Sequence, residues 1–125
     1  MSKINSFHDL EIWKLAHELV LEIYKLTNSF PSKEEYRLTS QLVRAAISIP
    51  NNIAEGMGRF SRKEFLQFLN IARGSTEECK YLIILSKDLK YIDNALYDLL
   101  TEKYNLLGKK INALINSIKR KTSLT

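Results

Sequence analysis

Four long runs of this sequence repeat apolar residues three and four positions apart, and very little chain lies between them. In the first, Leu10, Trp13, Ala16, Leu19, Val20, Ile23 and Tyr24 recur at helical spacing, while Glu11, Lys14, Glu18, Glu22 and Lys25 take the other side. This predicts a helix from about Asp9 to Asn28, ended by Phe30-Pro31 because a residue before proline is pushed out of the helical region. A second helix is expected to open at "SKEE", with Ser32 and Glu35 forming a capping box, and to reach about Met57. The third opens at another box, "SRKE" from Ser61 to Glu64, and runs to about Leu89. A fourth starts after Asp93, a capping residue, and continues to about Lys121 through Leu96, Leu99, Leu100, Leu107, Ile111, Leu114 and Ile118. With only four glycines and two prolines in 125 residues, there is little room for irregular loops. Short connections make successive helices antiparallel. The expected fold is therefore all-α: an antiparallel up-down-up-down four-helix bundle, one domain over residues 1–125. A helical hairpin that closes only on dimerisation is the alternative.

The second helix carries an unusual centre, "RAAISIPNNIAEGMG". A proline in a helix interior removes a hydrogen bond and costs ~3 kcal/mol. A bend at Pro50 is expected, with Asn51 or Asn52 supplying donors to the carbonyls released near Ala46 and Ile47. Around the helix axis, Leu38, Leu42, Ala45, Ile49 and Ile53 form one apolar stripe, the core face. Tyr36, Val43, Ile47, Pro50 and Ala54 form a second. Arg37, Gln41, Arg44, Ser48 and Glu55 lie between them, with Asn52 at the edge. A helix apolar on two sides is buried on two sides. The second stripe predicts an interface with another copy, through Tyr36, Val43, Ile47 and Ala54. Gly74, in the middle of the third helix, costs ~1 kcal/mol relative to alanine and calls for a packing reason.

Taken together, "QLVRAAISIPNNIAEG" and "SRKEFLQFLNIARGSTEE" resemble the four-helix-bundle proteins encoded within intervening sequences of bacterial 23S ribosomal RNA genes. The resemblance extends from Phe7, Leu10 and Trp13 to the end of the third helix, and the fourth matches only as an amphipathic pattern. Cys79 stands where that family commonly has leucine. The resemblance implies a closed bundle, a homopentamer and no established enzymatic activity. It also implies a relation to the accessory protein of diversity-generating retroelements, a basic pentameric ring that works with a reverse transcriptase and its RNA. A reverse transcriptase is thus a partner by analogy only. The motif positions carried over are Gln41, Arg44, Ser48, Pro50, Asn52, Glu55, Gly56, Gly74, Ser75 and Glu78.

No reaction is legible in these residues. Arg44, Glu55 and Glu78 read as a structural polar network before they read as an active site. His8 and His17 have no Glu-x-x-His companion, so no metal is expected, and "EGMGRF" lacks the lysine of a phosphate loop, so no cofactor is expected. Cys79 is the only cysteine, which rules out an internal disulfide. The longest aliphatic run, "LIIL", is far too short to cross a bilayer, and a cytoplasmic protein with no membrane role is expected.

Net charge is +5, and it builds towards the C-terminus. Arg59, Arg62 and Lys63 between the second and third helices, with Lys109, Lys110, Lys119, Arg120 and Lys121 on the fourth, are the candidate nucleic-acid contacts. No aromatic platform is expected among them, so phosphate contact should dominate. The function expected is that of a non-enzymatic oligomer associated with RNA or DNA. The alternative is a ring that scaffolds a protein partner.

Overall fold

The computed structural model describes residues 6–123, and its elements are helical throughout. Four α-helices follow one another: α1 Glu11–Thr27, α2 Leu38–Met57, α3 Arg62–Asp88 and α4 Asn94–Ser123. Short 3-10 turns precede α1 (Phe7–Asp9) and α2 (Ser32–Glu34). There is no strand among the described residues. The domain expected over residues 1–125 takes in 1–5 and 124–125, which lie outside the described residues.

Cross-helix contacts give the direction of each helix. Between α2 and α3, Gln41 Nε2 donates to Glu78 Oε2 at 3.4 Å, Ser48 and Ser75 share a hydrogen bond of 2.8 Å, and Gly56 lies against Phe65 and Phe68. As the chain advances on α2 it retreats on α3, so the two are antiparallel. The same holds for α3 and α4, where Thr76 neighbours Gly108 and Arg73 Nη1 donates to Asn112 Oδ1 at 3.1 Å. Glu22 to Lys103 at 2.8 Å and Glu11 to Lys110 at 2.7 Å tie α1 to α4 in the same sense.

The α2 stripe Leu38, Leu42, Ala45, Ile49 and Ile53 is buried as its periodicity requires. It meets Ile23, Leu69, Ile83, Leu107 and Ile111 in one continuous core. Within that core Tyr104 is fully enclosed, and its hydroxyl has no partner of good hydrogen-bond geometry. It faces the Cys79 thiol, a weak acceptor. Burial pushes the Cys79 thiol up to about 12, so it stays protonated and unreactive at neutral pH.

Caps explain two helix starts. Ser61 Oγ accepts from the Glu64 amide at 3.1 Å, and Asp93 Oδ1 accepts from the Leu96 amide at 2.8 Å. The start of α2 departs from expectation. Ser32–Glu34 makes only a 3-10 turn without a side-chain cap, and the α-helix begins at Leu38. The reason is tertiary: Glu34 is buried and its carboxylate accepts from the Tyr91 hydroxyl at 2.7 Å. That contact, 57 residues away in sequence, wins over the local box.

Pro50 lies inside α2, which continues unbroken through it. The Asn52 amide donates to the Ser48 carbonyl at 2.7 Å and to the Ser48 hydroxyl at 3.0 Å. The donor therefore serves Ser48 and not Ala46 or Ile47 as expected, because the Asn52 side chain reaches back a single turn. Pro50 and Ala46 are themselves buried. Part of the second apolar stripe is thus covered by the chain's own N-terminal region: Phe7, Trp13 and His17 face Ile47, Pro50 and Ala54 across a shallow groove of ≈ 290 Å³.

Candidate nucleic-acid interface

The turn between α2 and α3 is short and held from both sides. The Gly58 amide donates to the Ala54 and Glu55 carbonyls, and the Arg59 amide donates to Gly56 at 3.1 Å, closing α2. Ser61 then opens α3. Between those fixed ends, Phe60 projects wholly into solvent, with a relative exposure of 106%. Arg59 is exposed, and its guanidinium carbon sits 4.8 Å from the Phe68 ring centroid, a cation–π contact that positions the charge. Arg62 and Lys63 are exposed on the first turn of α3.

The antiparallel register of α3 and α4 decides what lies beside this turn. Thr76 neighbours Gly108 and Arg73 bonds to Asn112, so the same progression brings Arg62 and Lys63 level with residues 121–123, at most about one turn beyond Lys119 and Arg120. Two basic clusters far apart in sequence therefore share one end of the bundle. Lys119, Arg120 and Lys121 are exposed there. Glu55 and Glu64 are exposed acids near the same end, so the field is positive but not unbroken.

Lys109 and Lys110 do not join this cluster. They lie about 15 Å back along α4 from Lys119 and Arg120, at 1.5 Å per residue. Lys109 is exposed, and Lys110 is committed to Glu11.

Half of the motif positions line a different feature. Gln41, Arg44, Ser48, Ser75 and Glu78, together with Arg37, border a polar groove of ≈ 460 Å³ between α2 and α3. The hydrogen-bonded Ser48 and Ser75 are its more buried members, whereas Arg44 and Glu78 are exposed. Glu55 does not reach the groove, being about 16 Å along α2 from Arg44. Arg44, Glu55 and Glu78, expected as a structural polar network ahead of an active site, thus do not converge, and all three are exposed. Among the remaining motif positions, Gly56 has a packing reason. A Cβ there would lie 2.8 Å from Phe65 Cδ1 and 2.9 Å from Phe68 Cβ. Gly74 is exposed, with nothing in the chain within 4 Å of where its Cβ would be. Among the described residues no three His, Cys, Asp or Glu side chains gather as a metal site. No described helix is long and apolar enough to cross a membrane.

Of the interface residues expected on α2, Tyr36 is the most open, with 88% exposure, and Ile47 is marginally exposed. Val43 and Ala54 are half-buried within the subunit. Sequence reasoning missed Phe60 as an aromatic among the basic residues. The signal was present, since "GRFSRK" sets it directly between Arg59 and Arg62.

The family model described as 23S rRNA-intervening sequence protein matches residues 8–113. The chain belongs to that family. This member of the 23S rRNA-intervening sequence proteins also resembles a solved structure, a protein of unknown function from the S23 ribosomal protein family of Bacteroides thetaiotaomicron. The two are 24% identical with a TM-score of 0.78, and the alignment covers 84% of this chain and 95% of the other. That likeness establishes the shared fold. No curated protein matches the chain. In this family member Arg59, Arg62 and Lys63 fall inside the matched residues, and Lys119, Arg120 and Lys121 fall beyond them.

Proposed function

We propose that the protein is a non-enzymatic homo-oligomer, a pentamer as the family resemblance implies, that binds the phosphate backbone of RNA or DNA. The observation that carries the nucleic-acid reading is the meeting of Arg59, Arg62 and Lys63 with Lys119, Arg120 and Lys121 at one end of the bundle. One subunit at +5 attracts weakly, but a pentamer carries about twenty-five net positive charges. Ring symmetry repeats each cluster around an axis and joins the patches into a path that phosphates follow.

Assembly is supported by uncovered apolar surface. Ile71 and Tyr81 are more than half exposed and lie on the same face of α3 as Gly74, whose Cβ position has no neighbour within 4 Å. Tyr36 adds to it in the turn before α2. Light scattering on a sizing column should give five times the 14.5 kDa subunit mass, and a stable monomer at micromolar concentration would contradict it. The non-enzymatic reading draws support from the protonated Cys79 and from the separation of Glu55 from Arg44 and Glu78.

Titration of a labelled structured RNA at several salt concentrations tests the binding. The logarithm of affinity should fall against log salt with a slope of roughly −0.7 per phosphate neutralised on single-stranded regions. Replacing Lys119, Arg120 and Lys121 with glutamine should flatten that slope and leave oligomer and melting temperature nearly unchanged. No binding at low salt, or binding indifferent to salt and to those substitutions, favours the scaffold reading. The α2–α3 groove is then the surface to pursue, since Tyr36, Arg37 and Arg44 present an aromatic and two cations to a protein partner.

A further inference from the structure

Phe60 has no structural reason to be where it is. Nothing in the subunit covers its ring, and the turn that carries it is fixed by the closure of α2 on one side and the Ser61 cap on the other. A lone exposed apolar residue is ordinary. A wholly exposed aromatic with Arg59 before it and Arg62 and Lys63 after it is a different arrangement. The register of α3 against α4 places Lys119, Arg120 and Lys121 at the same end of the bundle.

We propose that Phe60 is a stacking platform for the bases of single-stranded RNA or DNA, with the surrounding cations tracking the strand's phosphates. The inference rests on the nucleic-acid reading above and adds a preference for unpaired bases. Single-strand binders combine a positive track with aromatic faces on which bases stack, and such stacking tolerates any sequence because every base has a π-face. Arg59, steered by Phe68, stands clear of the Phe60 ring and leaves it open. A membrane surface fits less well, because interfacial binding needs a continuous apolar face and this turn offers a single ring.

The test compares a labelled oligothymidylate with an abasic strand of the same length and charge, by fluorescence anisotropy at low salt. The protein should bind the base-bearing strand about tenfold more tightly. Phe60→Ala should bind both strands alike, with the affinity the parent shows for the abasic one, while Phe60→Trp keeps the preference. All three proteins should show the same salt slope on the abasic strand and the same mass on a sizing column. Equal parent affinities for the two strands, with a steep salt slope, overturn the stacking role and leave phosphate binding standing. Retention of the preference by Phe60→Ala overturns it too, as does dissociation of the oligomer by that substitution, which would make Phe60 an assembly contact. Failure of the parent to bind either strand overturns both readings.

Discussion

Two phenylalanines mark the two ends of this bundle, and they are treated in opposite ways. Phe30, where α1 turns towards α2, is buried with its ring 5.3 Å from that of Tyr91. Around it the chain is tied: Tyr91 donates to Glu34, Lys87 Nζ lies 4.1 Å from the Tyr97 ring centroid, and Asp93 caps α4. The charges there are of both signs, Lys33, Lys87 and Lys90 lying among Glu34, Glu35, Asp88 and Asp93. Phe60, at the other end, touches solvent on all sides and sits among cations. One end holds the helices together, and the other is held so that it can present what it carries.

The contrast breaks most visibly by truncating each ring. Phe30→Ala should lower stability by ~3–5 kcal/mol, the cost of emptying a packed aromatic site. Phe60→Ala should stay within about 0.5 kcal/mol of the parent. Urea denaturation of the pair measures both, and comparable losses would mean that the Phe60 turn is not free.

Gly56 tests how firmly the presenting end is seated. A methyl group there meets Phe65 and Phe68 at under 3 Å, so Gly56→Ala should cost about 1–2 kcal/mol even after the gain in helix propensity. The same assay decides it, and a stabilised variant would show that α2 and α3 have room to separate at the turn.

A smaller effect is stored at the tied end. Lys90 adopts a left-handed backbone with φ 66, in a turn where the Tyr91 amide donates to the Ser86 carbonyl and the Lys90 amide to that of Lys87. Those bonds are the Schellman closure of α3, in which glycine is favoured at the position Lys90 occupies. Lys90→Gly should raise stability by about 0.5 kcal/mol, the relief of strain less the entropy glycine loses on folding.

The smallest effect expected is a matter of pH. The Tyr91 hydroxyl holds the Glu34 carboxyl below its ordinary range, and the carboxylate raises Tyr91 in return. A depressed carboxylate contributes stability above its unfolded value and loses it as pH falls through the folded one. Tyr91→Phe should therefore melt below the parent at neutral pH, and the gap should close in acid. The raised tyrosine sets the opposite limit, since its hydroxyl gives up the shared proton only as pH climbs beyond the ordinary tyrosine range. A gap constant from neutral pH into acid would show that the hydroxyl matters for packing alone.

Local signals carried much of the fold. The apolar repeats marked four helices, Ser61 and Asp93 announced the starts of two of them, and the Leu42–Ile49–Ile53 stripe is core. Where the residues misled, a distant partner had intervened. Ser32 and Glu35 look like a capping box, but Glu34 is taken by Tyr91, and α2 starts at Leu38. Pro50 and Ala54 look like an outward stripe, but Phe7 and Trp13 fold back towards them. Of the candidate site, both basic clusters are visible in the sequence. Their meeting is not, because it depends on the register of α3 against α4. Nothing local distinguishes Lys110 from Lys109, and only the fold brings Glu11 to the one and not the other.

Hydrogen–deuterium exchange of the whole protein, with and without a saturating single-stranded RNA at low salt, tests the central claim most directly. Protection should concentrate in residues 57–63 and 117–121, while residues 30–37 and 89–93 at the tied end exchange as before. Protection centred on Arg37, Arg44 and Glu78 in the α2–α3 groove, or no change at either end, would contradict the account.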